Sequence, residues 1–461
     1  HAAPPRAPRR LAALRAVDSK VVEPIAKVGG VVRLPGSKSL SNRALLIAAL
    51  CEGETTVENL LASDDTERML EALDAMGVAV EDLGDSAVRV KSSGTLAAPG
   101  GDLFLGNAGT AMRPLAAVVA AIAATDGGAF TLDGTPRMRE RPIEDLIDGL
   151  KQLGCNVECT QNGEFGGCPP VVAGATGEAV DGGTCAVSGR TSSQFLSALL
   201  LASPLLARTN KLEIQITDEL ISQPYVQLTI DLMAQFGVAV DIAEGYRTFT
   251  VKPGQRYTNA GLPEATYFVE GDASSASYFL AAAAMTGGDL TVVGCGSAST
   301  QGDVRFAEVL ASMGARIEMA PTNITVIGGP VQLKGVDVDC LDIPDAAMTL
   351  ASVALVADGP TTIRNVGSWR VKETERMKAI VAETTKLGAD VFEGDTHCVI
   401  TPPPGNKPTP NAEIETYDDH RIAMTFALAA CAGVPVKILD PGCTSKTFPT
   451  YFDELARVTL A

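Results

Sequence analysis

The sequence predicts an α/β protein assembled from six similar units, and two repeated patterns support this prediction. In the first pattern, an amphipathic helical segment, a glycine and a short β segment follow one another five times. The glycines are separated by 74 to 83 residues, and they are Gly77, Gly154, Gly237, Gly314 and Gly388. The segment from Tyr451 is expected to form a sixth such helix without a following strand. The period exceeds the roughly 20–50 residues of a solenoid repeat, so it favours six compact units, which 461 residues would divide into two similar domains of three.

The second pattern is a helical segment of small apolar residues in each unit. These segments are apolar on nearly all sides, so we expect them to be buried inside a domain. Each follows a stretch rich in small polar residues, and in chain order these stretches are GSKSLSN, GNAGTAM, GRTSSQ, GDASSAS, IPDAAMT and YDDHRIA. Such residues favour helix N-termini, where free N–H groups attract anions. Six converging N-termini would bind a charged ligand. The alternative, six ordinary helix caps, leaves Lys38, Arg43, His420 and Arg421 unexplained.

The segment Leu34 to Leu46, LPGSKSLSNRALL, is the most informative single stretch of the chain. A Pro-Gly turn precedes three serines and two cations at the start of an apolar helical run. Ser39 and Arg43 are four residues apart and therefore share a helix face. Cations are unfavourable in the first turn of a helix unless they bind an anion there. The alternative is a capped helix whose charges are solvated.

Composition excludes several classes of protein. The net charge of −18 argues against binding to nucleic acid or to an anionic membrane surface. The apolar helical segments are shorter than the roughly 20 residues that span a bilayer. Ten cysteines without a CxxC or zinc-ligand spacing, together with three histidines, predict free thiols, no metal and no cofactor.

The first residues have the composition of a targeting segment. Residues 1–17 contain four arginines and no acidic residue. We expect residues 1–20 to be the remnant of a plastid transit peptide or a disordered tail, and the protein to reside in the plastid (chloroplast) stroma. A remnant of cloning is the competing interpretation.

Ten motifs in sequence order resemble the 5-enolpyruvylshikimate-3-phosphate synthase family, in its plant or algal plastid form. They extend over nearly the whole chain from residue 21 and are LPGSKSLSNRALL, LFLGNAGTAMRPL, DGTPRMRERPIEDL, SSQFLSALL, ISQPYVQLT, VEGDASSASYFLAAAA, IPDAAMTLA, WRVKETERM, YDDHRIAM and DPGCTSKTFPTYF. The resemblance implies two similar α/β domains, each of three βαβαββ units around buried helices, the inside-out α/β barrel of enolpyruvyl transferases. It places chain crossings near Val31–Pro35 and Tyr267–Gly271. Residues 36–268 would then form the N-terminal domain, and residues 21–35 with 269–461 the C-terminal domain.

The resemblance also implies a reaction of the shikimate pathway. The family transfers the carboxyvinyl group of phosphoenolpyruvate to the 5-hydroxyl of shikimate 3-phosphate, by addition and elimination, and releases phosphate. Glyphosate inhibits the family by occupying the phosphoenolpyruvate site. These small molecules are the expected partners of a protein that we expect to be a monomer.

Family motifs assign candidate residues to each substrate. The shikimate 3-phosphate set is Lys38, Ser39, Arg43, Ser192, Ser193, Gln194, Ser222, Asp345, Ser368 and Lys372. The phosphoenolpyruvate set is Lys38, Gly109, Arg141, Gln194, Arg376, Arg421 and Lys446. Both substrates are polyanions, so a cluster of cations is chemically reasonable, and arginine binds carboxylate and phosphate through two parallel hydrogen bonds. Gly109 would allow backbone N–H groups to approach an anion, or it is an ordinary turn glycine.

Three residues are candidates for proton transfer. Asp345 would be the base on the 5-hydroxyl, Glu373 would handle the proton of the methylene carbon, and Lys38 would assist as acid or base. Alternatively, Asp345 is a helix cap and Glu373 only balances charge. Lys372 and Arg376 are four residues apart and are predicted to share one helix face.

Two alternative functions and one departure from the family pattern stay open at this point. The UDP-N-acetylglucosamine enolpyruvyl transferase shares the fold but uses a loop cysteine, which the segment Pro136 to Arg141 lacks. The second alternative is a catalytically inactive homologue that only binds anions. Arg190 stands where the family has a small residue, and it would contact phosphate or point into solvent.

Overall fold

The computed structural model describes residues 19–177, 180–243, 245–329 and 332–460. Helices and strands alternate along the chain, which confirms the predicted α/β class. Residues 1–18 of the predicted tail lie outside the described residues. Ser19 and Lys20, which the prediction placed in the tail, belong to strand β1 (Ser19–Val22), and this strand pairs with a strand near the C-terminus.

The first half of the chain contains three units, after strand β1 and strand β2 (Lys27–Arg33). The first unit comprises α1 (Lys38–Leu50), β3 (Glu52–Glu58), α2 (Asp64–Ala75), β4 (Ala79–Gly84) and β5 (Ala87–Ser93). The second comprises β6 (Leu103–Phe104), α3 (Gly109–Asp126), β7 (Ala129–Asp133), the 3₁₀ turn Met138–Glu140, α4 (Glu144–Gln152), β8 (Asn156–Gly163) and β9 (Gly166–Gly174). The third comprises β10 (Gly183–Val187), α5 (Ser193–Leu206), β11 (Leu212–Ile216), α6 (Gln223–Gln235), β12 (Asp241–Ala243) and β13 (Thr248–Val251).

The second half follows a 3₁₀ turn (Pro263–Ala265) and strand β14 (Thr266–Phe268). The fourth unit comprises α7 (Ala273–Thr286), β15 (Asp289–Val293), the 3₁₀ turn Gly302–Arg305, α8 (Phe306–Ser312), β16 (Ile317–Met319) and β17 (Asn323–Val326). The fifth comprises β18 (Asp337–Asp339), the 3₁₀ turn Ala346–Thr349, α9 (Leu350–Val353), the 3₁₀ turn Ala354–Val356, β19 (Thr361–Arg364), the 3₁₀ turn Gly367–Val371, α10 (Arg376–Lys386), β20 (Asp390–Glu393) and β21 (Cys398–Thr401). The sixth comprises the 3₁₀ turn Pro404–Asn406, β22 (Ala412–Ile414), α11 (His420–Ala427), the 3₁₀ turn Leu428–Ala432, β23 (Val436–Leu439), the 3₁₀ turn Pro441–Lys446, α12 (Tyr451–Val458) and β24 (Thr459–Leu460).

The predicted hinge between each amphipathic helix and its strand is present in all five repeats. Each of the five hinge glycines has a positive φ, between 81° and 109°. Only glycine adopts this conformation without strain, which explains its recurrence. The sixth helix, α12, is followed by the two-residue strand β24, so the prediction that it lacks a strand is wrong. That strand pairs with β2 rather than within its own unit.

Each unit forms its own small sheet, and the units exchange two strands. In the second unit, β6 and β7 are parallel, whereas β9 is antiparallel to both β7 and β8. The first unit obtains its equivalent parallel strand from β14, which pairs with β3, and the fourth unit obtains it from β2, which pairs with β15. The chain therefore passes twice between the two halves of the molecule, after β2 and after β14.

Buried apolar side chains form two separate clusters. One extends from Leu40 to Val269, and the other combines residues from Ile25 to Leu34 with residues from Ala273 to Val458. Helices α3 and α7 are buried along nearly their whole lengths, as their composition predicts. Among the described residues, no helix has the length and apolar character needed to cross a membrane.

The two crossing segments contact each other between the clusters. The N–H of Ser37 donates to the carbonyl of Glu270 at 2.8 Å, and the N–H of Asp272 donates to the carbonyl of Pro35 at 2.9 Å. Gly36 and Gly271 lie opposite each other in this pairing. A Cβ at Gly271 would meet the backbone of Gly294 at 2.9 Å, so the close approach requires glycine.

Candidate active site

A cavity lies between the two apolar clusters, and both halves of the molecule line it. It contains all ten residues predicted to bind shikimate 3-phosphate. The lining residues are Lys38, Ser39, Arg43, Thr110, Arg141, Thr191, Ser192, Ser193, Gln194, Ile221, Ser222, Tyr225, Asp345, Ser368, Lys372 and Glu373. Arg190 is exposed and does not line this cavity.

Starts of helices supply most of the lining from the first half of the chain. Lys38 and Ser39 are the first residues of α1, and the guanidinium of Arg43 donates back to the carbonyl of Ser39 at 2.9 Å. Ser37, the N-cap residue of α1, makes no side-chain cap hydrogen bond, so its hydroxyl does not cap the start of this helix. Ser192 caps α5 by accepting the N–H of Gln194 at 3.2 Å. These helix starts converge on the cavity.

Arg43 lines the cavity and is held by two hydrogen bonds. Its Nε donates to the hydroxyl of Thr229 at 2.9 Å, and the residue is 3% exposed. Burial lowers the pKa of Arg43 to about 10, so the guanidinium is still charged at neutral pH. A buried, charged guanidinium with unused donors suits an anionic ligand.

Asp345 is an ion-paired carboxylate and does not cap its helical turn. It occupies the position before the turn Ala346–Thr349 but accepts no cap hydrogen bond. Its oxygens instead accept from Arg376 Nη1 at 3.0 Å and Arg421 Nη2 at 2.9 Å. Burial alone would raise the pKa of Asp345, but Arg421, Lys372 and Arg376 together hold it below its usual range. The capping alternative is therefore wrong for this side chain.

Lys372 and Arg376 do not share a helix face, so that prediction is also wrong. Lys372 follows the turn Gly367–Val371 in extended backbone, and α10 begins only at Arg376. Both side chains nevertheless reach Asp345, with Lys372 Nζ 3.8 Å from Oδ1. Arg376 also binds Asp419 at 2.7 Å and Glu373 at 2.8 Å, so three carboxylates surround its guanidinium.

Glu373 lies among cations from both halves of the molecule. Its carboxylate is 2.8 Å from Arg376 Nη2 and 3.7 Å from Lys38 Nζ. Burial raises the pKa of Glu373, but Arg376, Arg141, Lys38 and Lys446 outweigh burial and hold it well below its usual range. Glu373 is therefore ionised at neutral pH.

The backbone carbonyl of Asn107 brings together two cations predicted to bind phosphoenolpyruvate. Arg141 Nη1 donates to this carbonyl at 3.0 Å, and Lys446 Nζ donates to it at 3.1 Å. Lys446 lines a second, larger cavity of about 800 Å³, beside Asp65 and Asn107. Of the predicted phosphoenolpyruvate set, Lys38, Arg141 and Gln194 line the first cavity and Lys446 lines the second; neither lining includes Gly109, Arg376 or Arg421.

Gly109 is the first residue of α3 and lies against two buried arginines. A Cβ there would meet Arg141 Nη2 at 2.7 Å and Arg113 Nη1 at 2.9 Å. The glycine thus makes room for guanidinium groups, and a larger residue would displace Arg141. This is a steric role that a turn glycine would not have.

The sequence analysis did not identify Asp65 as a residue of the site. Asp65 is 2% exposed and lies 3.2 Å from Lys38 Nζ and 3.9 Å from Lys446 Nζ, which links the two lysines. His420, which the sequence analysis named at the start of its helix, is fully buried, and neither ring nitrogen has a hydrogen-bond partner among the described residues. Burial, together with Lys38 and Arg421, lowers the pKa of His420 well below its usual value, so its ring is neutral. Acidic residues are common in the first turn of a helix, so the sequence at the start of α2 gave no sign that Asp65 belongs to the site.

The cleft is closed, because polar contacts join the two halves around the cavity. Arg137 donates to the carbonyl of Lys372 at 3.0 Å, and the hydroxyl of Ser222 donates to the carbonyl of Leu341 at 3.4 Å. Ser445 also donates to Asp64 at 3.4 Å. The catalytic candidates from both halves are therefore held together.

Comparison with known proteins agrees with this arrangement. The model of the EPSP synthase family, 3-phosphoshikimate 1-carboxyvinyltransferase, matches residues 22–455. The chain belongs to this family. The match covers more than nine-tenths of the chain and both halves of the molecule.

Relatives occur among plant and bacterial enzymes. The chloroplastic 3-phosphoshikimate 1-carboxyvinyltransferase of Arabidopsis thaliana is 54% identical over 452 residues, which are 95% of this chain and 84% of the relative. The enzyme of the same name from Paraburkholderia phytofirmans is 51% identical over 434 residues, which are 93% of this chain and 96% of the relative. These relatives confirm the family and the enzyme class predicted from the motifs.

Solved structures support the fold. EPSP synthase from Acinetobacter baumannii superposes with a TM-score of 0.76 at 26% identity and covers 96% of this chain and 98% of its own. The enolpyruvyl transferase NikO from Streptomyces tendae, at 18% identity and a TM-score of 0.71, covers 95% of this chain and 96% of its own and shares the fold. The two-domain architecture predicted from the repeats is confirmed, and the UDP-N-acetylglucosamine transferase alternative is not favoured.

Proposed function

We propose that the cavity between the two halves binds shikimate 3-phosphate beside phosphoenolpyruvate and transfers the carboxyvinyl group to the 5-hydroxyl, with release of phosphate. The observation that carries this proposal is the convergence of all ten predicted shikimate 3-phosphate residues on one cavity. Six of the ten come from the starts of α1, α5 and α6, and three come from the fifth unit. Buried cations and helix N-termini together suit a ligand with a phosphate and a carboxylate.

Asp345 acts in this proposal as the base that accepts the proton of the 5-hydroxyl. It lines the cavity, and two arginines fix both of its oxygens. The arginines make it a weak base before the substrates bind. Binding of two polyanions offsets the positive charge around it, so its basicity rises in the complex where the proton must move.

Glu373 and Lys38 handle the proton at the methylene carbon. They approach each other to 3.7 Å from opposite halves of the molecule. The charge of bound phosphoenolpyruvate would raise the pKa of Glu373, so that it can donate a proton during addition and take it back during elimination. Lys38, buried against Asp65, would balance charge and assist.

Phosphoenolpyruvate binds, in this proposal, where Arg141 and Lys446 meet. Arg141 comes from the first half, which we assign as a domain of residues 36–268. Lys446 comes from the second domain, residues 21–35 and 269–461. Because the two cations come from different domains, closure completes the site, and bound anions offset the repulsion between cations. Arg376 and Arg421 would bind phosphoenolpyruvate and would also hold Asp345 in place.

We further propose that the protein is a monomer of the plastid stroma and is sensitive to glyphosate. Plant relatives named as chloroplastic support the location, although bacterial relatives are nearly as similar. Both domains of one chain supply the cavity, so a second copy is not required. Light scattering after size-exclusion chromatography tests the monomeric state. Organelle fractionation followed by detection with an antibody tests the location.

The reaction is tested by mixing the chain with both substrates and measuring released phosphate. We expect release only when phosphoenolpyruvate and shikimate 3-phosphate are both present, and we expect none when UDP-N-acetylglucosamine replaces shikimate 3-phosphate. Release with the nucleotide sugar would support the other transferase. Absence of release with both predicted substrates, in a chain that binds them, would favour the inactive anion-binding homologue.

A further inference from the structure

A buried carboxylate outside the predicted site connects the two domains beside Asp345. Asp303 lies in the turn Gly302–Arg305 and is 2% exposed. Its Oδ2 accepts the hydroxyl of Tyr225 at 3.0 Å. Tyr225 belongs to α6 of the first domain and lines the cavity, whereas Asp303 belongs to the second domain. The hydrogen bond between Tyr225 and Asp303 therefore joins the two domains, and its acceptor, Asp303, does not line the cavity.

Asp303 is also connected to the backbone that carries the candidate base. Its Oδ1 accepts the N–H of Ala346 at 3.5 Å, and Ala346 directly follows Asp345. The hydroxyl of Ser274, at the start of α7, donates to Oδ2 of the same carboxylate. One carboxylate thus receives donors from three separate segments. A buried group with three donors is strongly localised, and it localises its partners in turn.

The surrounding surfaces fit closely at this point. A Cβ at Gly302 would meet Pro224 Cβ at 2.7 Å, and Pro224 directly precedes Tyr225. Ser222, two residues earlier, donates to the carbonyl of Leu341 in the segment that leads to Asp345. The first turn of α6 therefore packs on both second-domain segments that carry Asp303 and Asp345.

We propose that Asp303 is a positioning residue for Asp345, and that its bond with Tyr225 makes this positioning depend on closure of the cleft. The inference rests on the proposed role of Asp345 as the base. In the open cleft, Tyr225 would leave Asp303, and the turn Ala346–Thr349 would lose one of the restraints that orient Asp345. Closure of the cleft on the substrate would restore the hydrogen bond between Tyr225 and Asp303 and orient Asp345 for proton transfer.

Charge supports the same relationship. Burial, and then the neighbouring charge of Asp345, raise the pKa of Asp303 to about 6, while its hydrogen bonds with Ser274 and Tyr225 and the charge of Arg421 lower it. At neutral pH the carboxylate is ionised and can accept all three donors. Asp303 does not line the cavity, so it acts through Tyr225 and Asp345.

The test compares Tyr225→Phe, Asp303→Asn and the double variant in steady-state kinetics. Tyr225→Phe removes one hydroxyl and retains the ring. We expect each single variant to lower kcat about ten- to a hundredfold, with the dissociation constant of shikimate 3-phosphate, measured by calorimetry, changed less than about threefold. The double variant should be no slower than Asp303→Asn alone, because both changes remove the same bond.

Tyr257→Phe is the matched control. Its hydroxyl is buried and donates to the carbonyl of Leu201 at 3.0 Å within the first domain. This variant should lower the unfolding midpoint while retaining the wild-type kcat. A second measurement uses Trp369, the single tryptophan, which is buried and whose indole N–H donates to the carbonyl of Pro344, next to Asp345, at 2.6 Å. Its emission should change when shikimate 3-phosphate binds to the wild type and change less in Tyr225→Phe.

Three results would overturn this inference. One is a kcat of Tyr225→Phe within about twofold of the wild type. Another is a change confined to the binding of shikimate 3-phosphate, which would show that Tyr225 only binds the substrate. The third is a double variant whose loss of kcat equals the product of the losses of the two single variants. If Asp303→Asn does not fold, kcat and Trp369 emission of Tyr225→Phe still decide. A wild-type chain without turnover would instead contradict the proposed function.

Discussion

Lys446 of the second domain donates to the carbonyl oxygen of Asn107 in the first domain at 3.1 Å, and this same oxygen also accepts from Arg141. Two cations that were assigned to one anion from separate motifs therefore meet at one backbone atom. A bound anion would compete for these donors and gain charge-assisted hydrogen bonds from both domains.

Removal of either cation should weaken the binding of phosphoenolpyruvate and leave the binding of shikimate 3-phosphate nearly unchanged. For Arg141→Ala and Lys446→Ala, we expect a loss of roughly 1.5–3 kcal/mol in phosphoenolpyruvate binding, which is the contribution of an ionic hydrogen bond. Calorimetry with each substrate measures this. Lys252→Ala is the control, because that side chain is 73% exposed and pairs with Asp241 at the surface. Equal losses for both substrates would show that the cations are assigned wrongly.

Gly109→Ala should reduce inhibition by glyphosate and also raise the KM for phosphoenolpyruvate. The added Cβ would meet the guanidinium groups of Arg141 and Arg113, which must move away. In the proposed site, inhibitor and substrate share Arg141, so both should bind less well, and inhibition of the wild type should be competitive with phosphoenolpyruvate. Inhibition assays at varied phosphoenolpyruvate measure the effect. Gly100→Ala, where a Cβ would meet nothing within 4 Å, should leave both constants unchanged. A wild type that is insensitive to glyphosate would contradict the proposal.

Arg137 should contribute to closure rather than to chemistry. Its guanidinium donates to the carbonyl of Lys372 across the cleft at 3.0 Å. Arg137→Ala should raise the KM of both substrates several-fold, since in the proposed mechanism each substrate binds to the closed state, whereas Arg139→Ala should not. Arg139 lies in the same loop, but its side chain is bonded to Asp133 in its own domain. Equal effects of the two substitutions on KM would argue against a role for the Lys372 contact.

The stability of the protein should depend on pH through Asp303. The pKa of about 6 in the folded chain exceeds the ordinary value of 3.8, so between these values the folded state binds more protons than the unfolded state. The contribution of this group to stability is therefore highest below pH 4 and falls as pH rises through 6, by up to roughly 3 kcal/mol. The groups around it are Asp345, Arg421, Tyr225 and Ser274.

Asp303→Asn removes this titration. Relative to wild type, the variant should gain stability as pH rises from 4 to 7, and chemical unfolding at several pH values measures the difference. A difference that is independent of pH would mean that Asp303 titrates as an ordinary carboxylate.

Local patterns in the sequence predicted the units, and non-local contacts limited the prediction of the site. The hinge glycines were recognisable because each ends a helix with a positive φ. The shared face of Lys372 and Arg376 was not realised, because the backbone is extended at Lys372 before α10 begins. Spacing cannot reveal that break.

The missed carboxylates show the same limit. Asp65 resembles an ordinary acidic residue at the start of α2, and its pairing with Lys38 and Lys446 arises only when both domains are assembled. Asp303 has no local signal either, since its partners are Tyr225 of the other domain and the backbone beside Asp345. Family motifs identified the groups expected to contact substrate but not the groups that hold them in place.

Turnover by Asp345→Asn tests the proposed base directly. In the proposed mechanism, Asp345, held by Arg376 and Arg421 in the cavity between the domains, removes the proton from the 5-hydroxyl. Phosphate release is measured with both substrates at saturation, and binding of shikimate 3-phosphate is measured by calorimetry. Asp337→Asn, at a side chain that is 65% exposed, serves as the control.

We predict that Asp345→Asn binds shikimate 3-phosphate but releases phosphate at less than a tenth of the wild-type rate, a barrier increase of more than about 1.4 kcal/mol. The Asp337→Asn control should match the wild type. An Asp345→Asn variant that retains more than about a tenth of the wild-type rate would contradict the assignment of Asp345 as the base.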